Sequence, residues 1–163
     1  MRILVISDSH GDWQCAYRAI ASHKSAEVVI HLGDGASDMR GAAQDFPEKA
    51  FYQVSGNNDF TSSAANFELL KLAGKVIFCT HGHLFHVKYG LERVEYAARE
   101  RGADICLFGH THRAFLDYSE GLYLLNPGMC HGRDASCGII DITEAGIVTN
   151  IVEGTKWKNS LNF

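Results

Sequence analysis

The sequence predicts an α/β fold: a mixed α/β first half and a β-rich second half, forming two packed sheets with helices outside. Three observations point there. Short apolar runs of strand length recur along the chain, as in Ile3-Leu4-Val5-Ile6, Val76-Ile77-Phe78-Cys79 and Ile105-Cys106-Leu107-Phe108, and strands buried on both faces read as such runs. The first third alternates strand and helix signals, whereas the last third carries only strand and turn signals. A 46% hydrophobic fraction in 163 residues is enough for a full core, so a single domain spanning 1–163 is expected, with no disulfide staple.

Taken in order, residues 2–7 read as a buried strand followed by the loop Asp8-Ser9-His10-Gly11. Asp12 can cap a helix running to about His23, with Trp13, Ala16, Tyr17, Ile20 and Ala21 on one face. A second strand covers 27–32. A weaker helix spans 37–45 and stops before Pro47, because proline disfavours helical geometry at the residue ahead of it. The third strand is 50–54, and this β-α-β-α-β start implies parallel strands with right-handed crossovers. Residues 66–72 and 76–80, joined by Ala73-Gly74-Lys75, read as a hairpin. A helix follows from Tyr89 to Arg101, closed by Gly102 as a left-handed cap. Strands are then expected at 104–108, 113–118, 122–126, 137–142 and 146–152, separated by turns such as Ser119-Glu120-Gly121. Phe115, Tyr118, Tyr123 and Leu124 alternate on these strands, which core or interface packing would explain. Trp157 and Phe163 lie in a polar tail, docked on the body or on a partner subunit, so a homo-oligomer stays open.

Composition excludes several classes. Net charge is −4 and no basic run occurs, which argues against a dedicated nucleic-acid surface built on counterion release. A phosphorylated substrate is still compatible, because bound cations can supply local positive charge. The five cysteines are scattered without a C-x-x-C pair, and Cys79 and Cys106 fall inside apolar runs as small core residues. No run is long enough to span a bilayer, and the chain opens on a strand signal rather than a leader, so no membrane association and a reducing cytoplasm are expected.

Residues suited to divalent metals recur in five clusters, each just after an apolar run: Asp8 and His10, Asp34, Asn57, His81, and His110 and His112. In open α/β folds ligands gather beyond the strands' carboxyl ends, so clusters distant in sequence are placed to converge. In Asp8-Ser9-His10 and His110-Thr111-His112 the i and i+2 side chains leave an extended backbone on one side. Gly33, Gly56 and Gly109 relieve steric limits where strands turn sharply into these loops. Asp34 has two oxygens and can bridge two ions about 3.5–4 Å apart. Oxygen and nitrogen donors without thiolates suit manganese, iron, nickel, cobalt or zinc rather than copper(I) or calcium. Two such ions would bind phosphate oxygens, hold a bridging hydroxide as nucleophile and neutralise transition-state charge. No G-x-S-x-G elbow, Walker A loop or D-x-D pair competes with that reading.

Asp8-Ser9-His10-Gly11, Gly33-Asp34, Gly56-Asn57-Asn58-Asp59, Thr80-His81-Gly82-His83 and Gly109-His110-Thr111-His112 together resemble the five motifs of calcineurin-like metallophosphoesterases, in order and spacing. Asn126-Pro127-Gly128 and the absence of insertions resemble the small bacterial and archaeal phosphodiesterase branch. The resemblance implies a four-layer fold, a β-sandwich of two mixed sheets flanked by helices, and a hydrolase acting on a small phosphoester, most directly a phosphodiesterase. It implies Asp8, His10 and His112 on one metal, Asn57, His81 and His110 on the other, and Asp34 between them. Manganese is the expected metal, with nickel, iron, zinc and cobalt as alternatives.

One departure matters. Many members carry a histidine where this chain has Asn58, and an amide can hold a phosphate but cannot transfer a proton at neutral pH. Asn58 is therefore read as a substrate contact, His83 as the nearest candidate acid, and Asp59 as a carboxylate that has lost its imidazole partner or simply caps the next turn. Arg133 could meet a phosphate through its planar fork, although a solvated loop arginine is the plainer account. His23 and His86 read as surface residues, His31 as a satisfied structural residue, and His131 as part of the loop after Gly128. Two competing functions are weighed: a non-catalytic interaction module, as in a retromer scaffold subunit of this fold, and a nuclease, for whose capping segments the chain has no room.

Overall fold

The computed structural model describes residues 1–158, so Phe163 lies outside the described residues. Ten strands form two five-stranded sheets. The first runs β10-β9-β1-β2-β3, with β1 Arg2–Ile6, β2 Val28–His31, β3 Ala50–Gln53, β9 Ser136–Thr143 and β10 Gly146–Glu153. The second runs β4-β5-β6-β8-β7, with β4 Phe67–Leu72, β5 Lys75–Thr80, β6 Ile105–Leu107, β7 Ala114–Ser119 and β8 Leu122–Pro127. In the first sheet β1, β2 and β3 are parallel and run out to the β3 edge, and in the second β5, β6 and β8 are parallel; the remaining strands pair antiparallel.

Alternation along each apolar run explains the layers. Ile3 and Val5 of β1 point between the sheets, where they meet Ile30, Ile77, Leu107, Leu125 and Ile140. Leu4 and Ile6 point outward under helix α1 (Trp13–Ser22), and the second sheet's Phe78, Cys106 and Leu124 lie under α3 (Glu92–Glu100). The order helix, sheet, sheet, helix is thus written in strands that are apolar on both faces.

Several elements differ from the sequence expectation. Asp12 does cap α1, accepting from the Cys15 amide at 3.0 Å, but the buried face is Cys15, Ala16, Ala19 and Ile20, and Trp13 is 52% exposed. The segment expected as one helix over 37–45 is a 3₁₀ turn, Ala36–Met39, and a single α turn, α2 (Ala42–Asp45), broken by Gly41 at φ +88°. The break is tied down because the Asp38 carboxylate leaves this segment to accept from Ser9 and from the Gly11 amide. Helix α3 starts after Gly90 rather than at Tyr89, whose amide closes a turn on His86, and Gly102 ends it at φ +64° as expected. Trp157, in α4 (Thr155–Lys158), docks on the body: it is 1% exposed in the layer with α1. Leu124 is core, whereas Phe115 and Tyr118 stay exposed on β7, which is an edge strand of its sheet. His23 is half-buried at the end of α1, its ring against Trp157, and not on the open surface; His86 is exposed. All five cysteines are buried thiols outside any disulfide, and burial pushes those of Cys79 and Cys106 above their ordinary range. Among the described residues no helix is long and apolar enough to cross a membrane.

Candidate metal centre

Six parallel strands, three from each sheet, end at one rim, and the loops that leave them are laced together. The Asp8 amide donates to Gly33 O at 3.0 Å, His10 to Asp34 O at 3.0 Å, and Gly109 to His81 O at 3.1 Å. Five of the seven residues singled out from sequence sit in the left-handed region: Asp8 (φ 54°), His10 (46°), Asp34 (55°), His110 (66°) and His112 (60°). Such backbone costs about 1–3 kcal/mol per residue and persists only where surroundings over-determine it, which is typical of functional loops. The glycines act in two ways. Gly33 supplies φ +95°, as expected; Gly56 and Gly109 instead permit close approach, since a methyl group on Gly56 would strike the Asp34 carboxylate and one on Gly109 the Ser7 hydroxyl.

Two buried carboxylates anchor the site. Asp8 Oδ2 accepts from the Ser7 hydroxyl at 2.6 Å and from the His110 amide at 3.0 Å. Its Oδ1 is buried without a hydrogen-bond donor, yet lies 3.2 Å from His112 Nε2, 3.8 Å from His10 Nε2 and 3.9 Å from His81 Nε2. Asp34 Oδ1 accepts from the Asn58 backbone at 2.8 Å and Oδ2 from the Asn58 amide group at 2.6 Å, with His81 Nε2 at 3.5 Å. Burial opposes the charge of Asp34, but the bonds from His81 and Asn58 outweigh it and hold the carboxyl well below the usual range.

The imidazoles are oriented to match. His81 Nδ1 lies 2.8 Å from Leu32 O, which can only accept, so Nδ1 carries the hydrogen and Nε2 faces the carboxylates. Burial lowers the His81 pKa, but Asp34 and Asp8 outweigh it and raise it overall: the pocket attracts positive charge. His110 Nδ1 is 3.2 Å from His81 Nε2, and its pKa falls to about 4, chiefly through burial and then the neighbouring His81. His10 and His112 bring their Nε2 atoms to 3.2 Å from each other. Donor atoms within 4.8 Å of one another form three groups that could hold a cation: Asp8, His10 and Asp34; Asp34, His81 and His110; and His10, His112 and His131. Asp34 belongs to two of them.

Not every residue expected at the site is engaged. Asn57 is exposed, and it is Asn58 that grips Asp34. Asp59 does more than cap a turn: its carboxylate accepts from the amides of Asp34, Gly35, Ala36 and Gly56, bracing two loops at once. His83 is half-buried with an unpartnered Nδ1, its ring 5.4 Å from His81, and burial lowers its pKa. Arg133 is exposed in the loop after β8. His31 is the satisfied structural residue foreseen: Gly33 donates to its Nδ1, so Nε2–H donates to Ser9, whose hydroxyl donates to Asp38. His131 was passed over. It stands at the rim, ring centroid 5.5 Å from that of His10, and the rule that found the other clusters (a donor just past a strand end) would have found it after β8.

The comparisons agree with this geometry. Residues 1–145 match the model of the calcineurin-like phosphoesterase superfamily domain. "Probable metallophosphoesterase YsnB" of Bacillus subtilis (strain 168) is 38% identical over 130 residues, 78% of this chain and 74% of its own. "Phosphodiesterase MJ0936" of Methanocaldococcus jannaschii is 25% identical over 148 residues, 81% and 86% of the two chains. Among solved structures, a conserved uncharacterized protein of Streptococcus pneumoniae TIGR4 described as a predicted phosphoesterase superposes with a TM-score of 0.80 at 28% identity, covering 94% and 90% of the two chains. A Vps29 of Entamoeba histolytica superposes at 0.69 with 18% identity over 94% and 99%, a likeness of fold. With motifs, two-sheet architecture and family model in agreement, the chain belongs to the calcineurin-like phosphoesterase superfamily.

Proposed function

We propose that the rim is a binuclear metal centre that hydrolyses a small phosphoester, most directly a phosphodiester. The observation that carries this is the buried, donorless Asp8 Oδ1 facing three imidazole Nε2 atoms, next to an Asp34 shared by two donor groups. A buried acceptor left without a hydrogen costs about 1–3 kcal/mol, so the site is built for a cation to stand there. Asp8, His10 and His112 would hold one ion, His81, His110 and Asn57 the other, and Asp34 both. A bound pair supplies Lewis acidity and an activated water nucleophile for attack on phosphorus.

The chain's own residues do the rest. Asn58 fixes the shared carboxylate through its backbone and side chain, and its second amide hydrogen remains for a phosphoryl oxygen. Asp59 holds the backbone of Asp34 and Gly56 in register, so the geometry is set before substrate arrives. Because residue 58 lacks a transferable proton, protonation of a poor leaving group falls to His83, and esters with acidic leaving groups should react fastest. Arg133, exposed on the loop after β8, would offer its guanidinium to a phosphoryl oxygen. The phosphodiesterase relative favours a diester. We place the protein in the cytoplasm. A non-catalytic role, as on the related Vps29 fold, is disfavoured by the full set of donors.

The test is hydrolysis of a nitrophenyl phosphodiester by purified protein with added manganese, nickel, cobalt or zinc. Activity that chelator abolishes and metal restores supports the reading; metal binding without turnover on any mono- or diester would instead favour the interaction module. Replacing Asn58→His should raise the turnover of alkyl esters relative to that of nitrophenyl esters, because only the alkyl leaving group needs the added proton.

A further inference from the structure

We propose that His131 is a third imidazole donor to the cation position framed by His10 and His112, an inference that rests on the metal-centre reading above. The loop that carries it leaves β8, the third parallel strand of the second sheet, and is pinned on both sides of His131. The Cys130 amide donates to Ser7 O at 2.8 Å, one residue from Asp8, and the Gly132 amide donates to the Asp12 carboxylate at 3.4 Å, two residues past His10. At the loop's start the buried Asn126 side chain donates to Gly109 O at 2.9 Å and to the Thr111 hydroxyl at 3.0 Å, and accepts from the Gly128 amide at 2.9 Å. His131 is therefore held between the loop of Asp8 and His10 and the loop of His112.

The ring geometry fits a shared ion. The His131 ring stands edge-on to His10 at 5.5 Å and to His112 at 6.1 Å, with donor nitrogens of all three within 4.8 Å of one another. Nitrogen donors sit about 2.1 Å from a metal such as zinc, so two on one ion are at most roughly 4.2 Å apart, and only small side-chain movements are needed. Independently, the fully buried and donorless Asp8 Oδ1 points into the same space, 3.2 Å from His112 Nε2. A consequence follows for metal choice. An additional imidazole makes this position nitrogen-rich, favouring zinc, iron, nickel or cobalt over manganese or magnesium, while the His81 position keeps its own donors.

Metal-stripped wild-type protein and the variants His131→Ala and His131→Cys would be titrated with cobalt(II), followed by calorimetry and visible absorption. Wild type should take two equivalents. His131→Ala should lose at least about tenfold in affinity for one equivalent and keep the other, with a changed cobalt spectrum. His131→Cys should recover that affinity and show a near-ultraviolet thiolate-to-cobalt band absent from wild type. Unchanged affinities together with no thiolate band would overturn the assignment while leaving the centre intact; a wild type that binds no cobalt would overturn the metal-centre reading itself. Melting of the metal-free proteins checks that the variants fold, and His131→Cys serves alone if His131→Ala does not.

Discussion

The two halves of the candidate centre are built differently. Around His81 and His110 the donors are buried or half-buried and braced, with His81 fixed by Leu32 O and Asp34 held by Asn58 and, through its backbone, by Asp59. Around His10 and His112 both imidazoles are exposed, although Asp8 beside them is buried, and among the described residues no hydrogen bond to a backbone carbonyl orients either ring. Metal-binding histidines normally have their second nitrogen fixed in this way, which orients the ring and raises its basicity. The contrast predicts one tight, slowly exchanging ion and one looser ion open to solvent and substrate.

The largest effect should come from breaking what the halves share. Asp34→Asn removes charge from both positions and should cut kcat by at least about a hundredfold; a fully active variant would end the binuclear account. Next is the shared backbone brace. Asp59→Ala strands four amides and should cost about 3 kcal/mol in denaturant unfolding and lower the affinity of both ions together. His81→Ala against His10→Ala then sharpens the asymmetry: each should lose about 10–100-fold in affinity for one equivalent, the His81 change affecting the tighter one, as calorimetry would show. Adding metal at about a hundred times its dissociation constant should stabilise the fold by about 2.7 kcal/mol, read as a raised Tm that chelator reverses. The smallest effect on the centre belongs to Trp157→Ala. It should cost about 3–5 kcal/mol of stability by emptying a buried site beneath α1, yet leave metal stoichiometry at two.

Much of this was legible in one dimension. Strands apolar on both faces announced two covered sheets, and donors placed after strand ends announced a convergent site, because a parallel strand delivers whatever follows it to a common rim. The Asp12 cap, the Gly102 stop and the structural role of His31 also follow from local chemistry. The misses share a cause. The buried face of α1, the broken segment at 36–45 and the exposure of Phe115 and Tyr118 depend on what packs opposite, which periodicity within one element does not contain.

The amino-acid order by itself determined the two covered sheets, the parallel start of the first and the family of donors, since strand apolarity and residue chemistry are local properties. Only the tertiary structure decided that Asn58 grips Asp34, that Asp59 accepts from four amides, and that the His131 ring stands beside those of His10 and His112. Those relations join residues up to 121 positions apart, and their distances are set by how the two sheets and their loops pack.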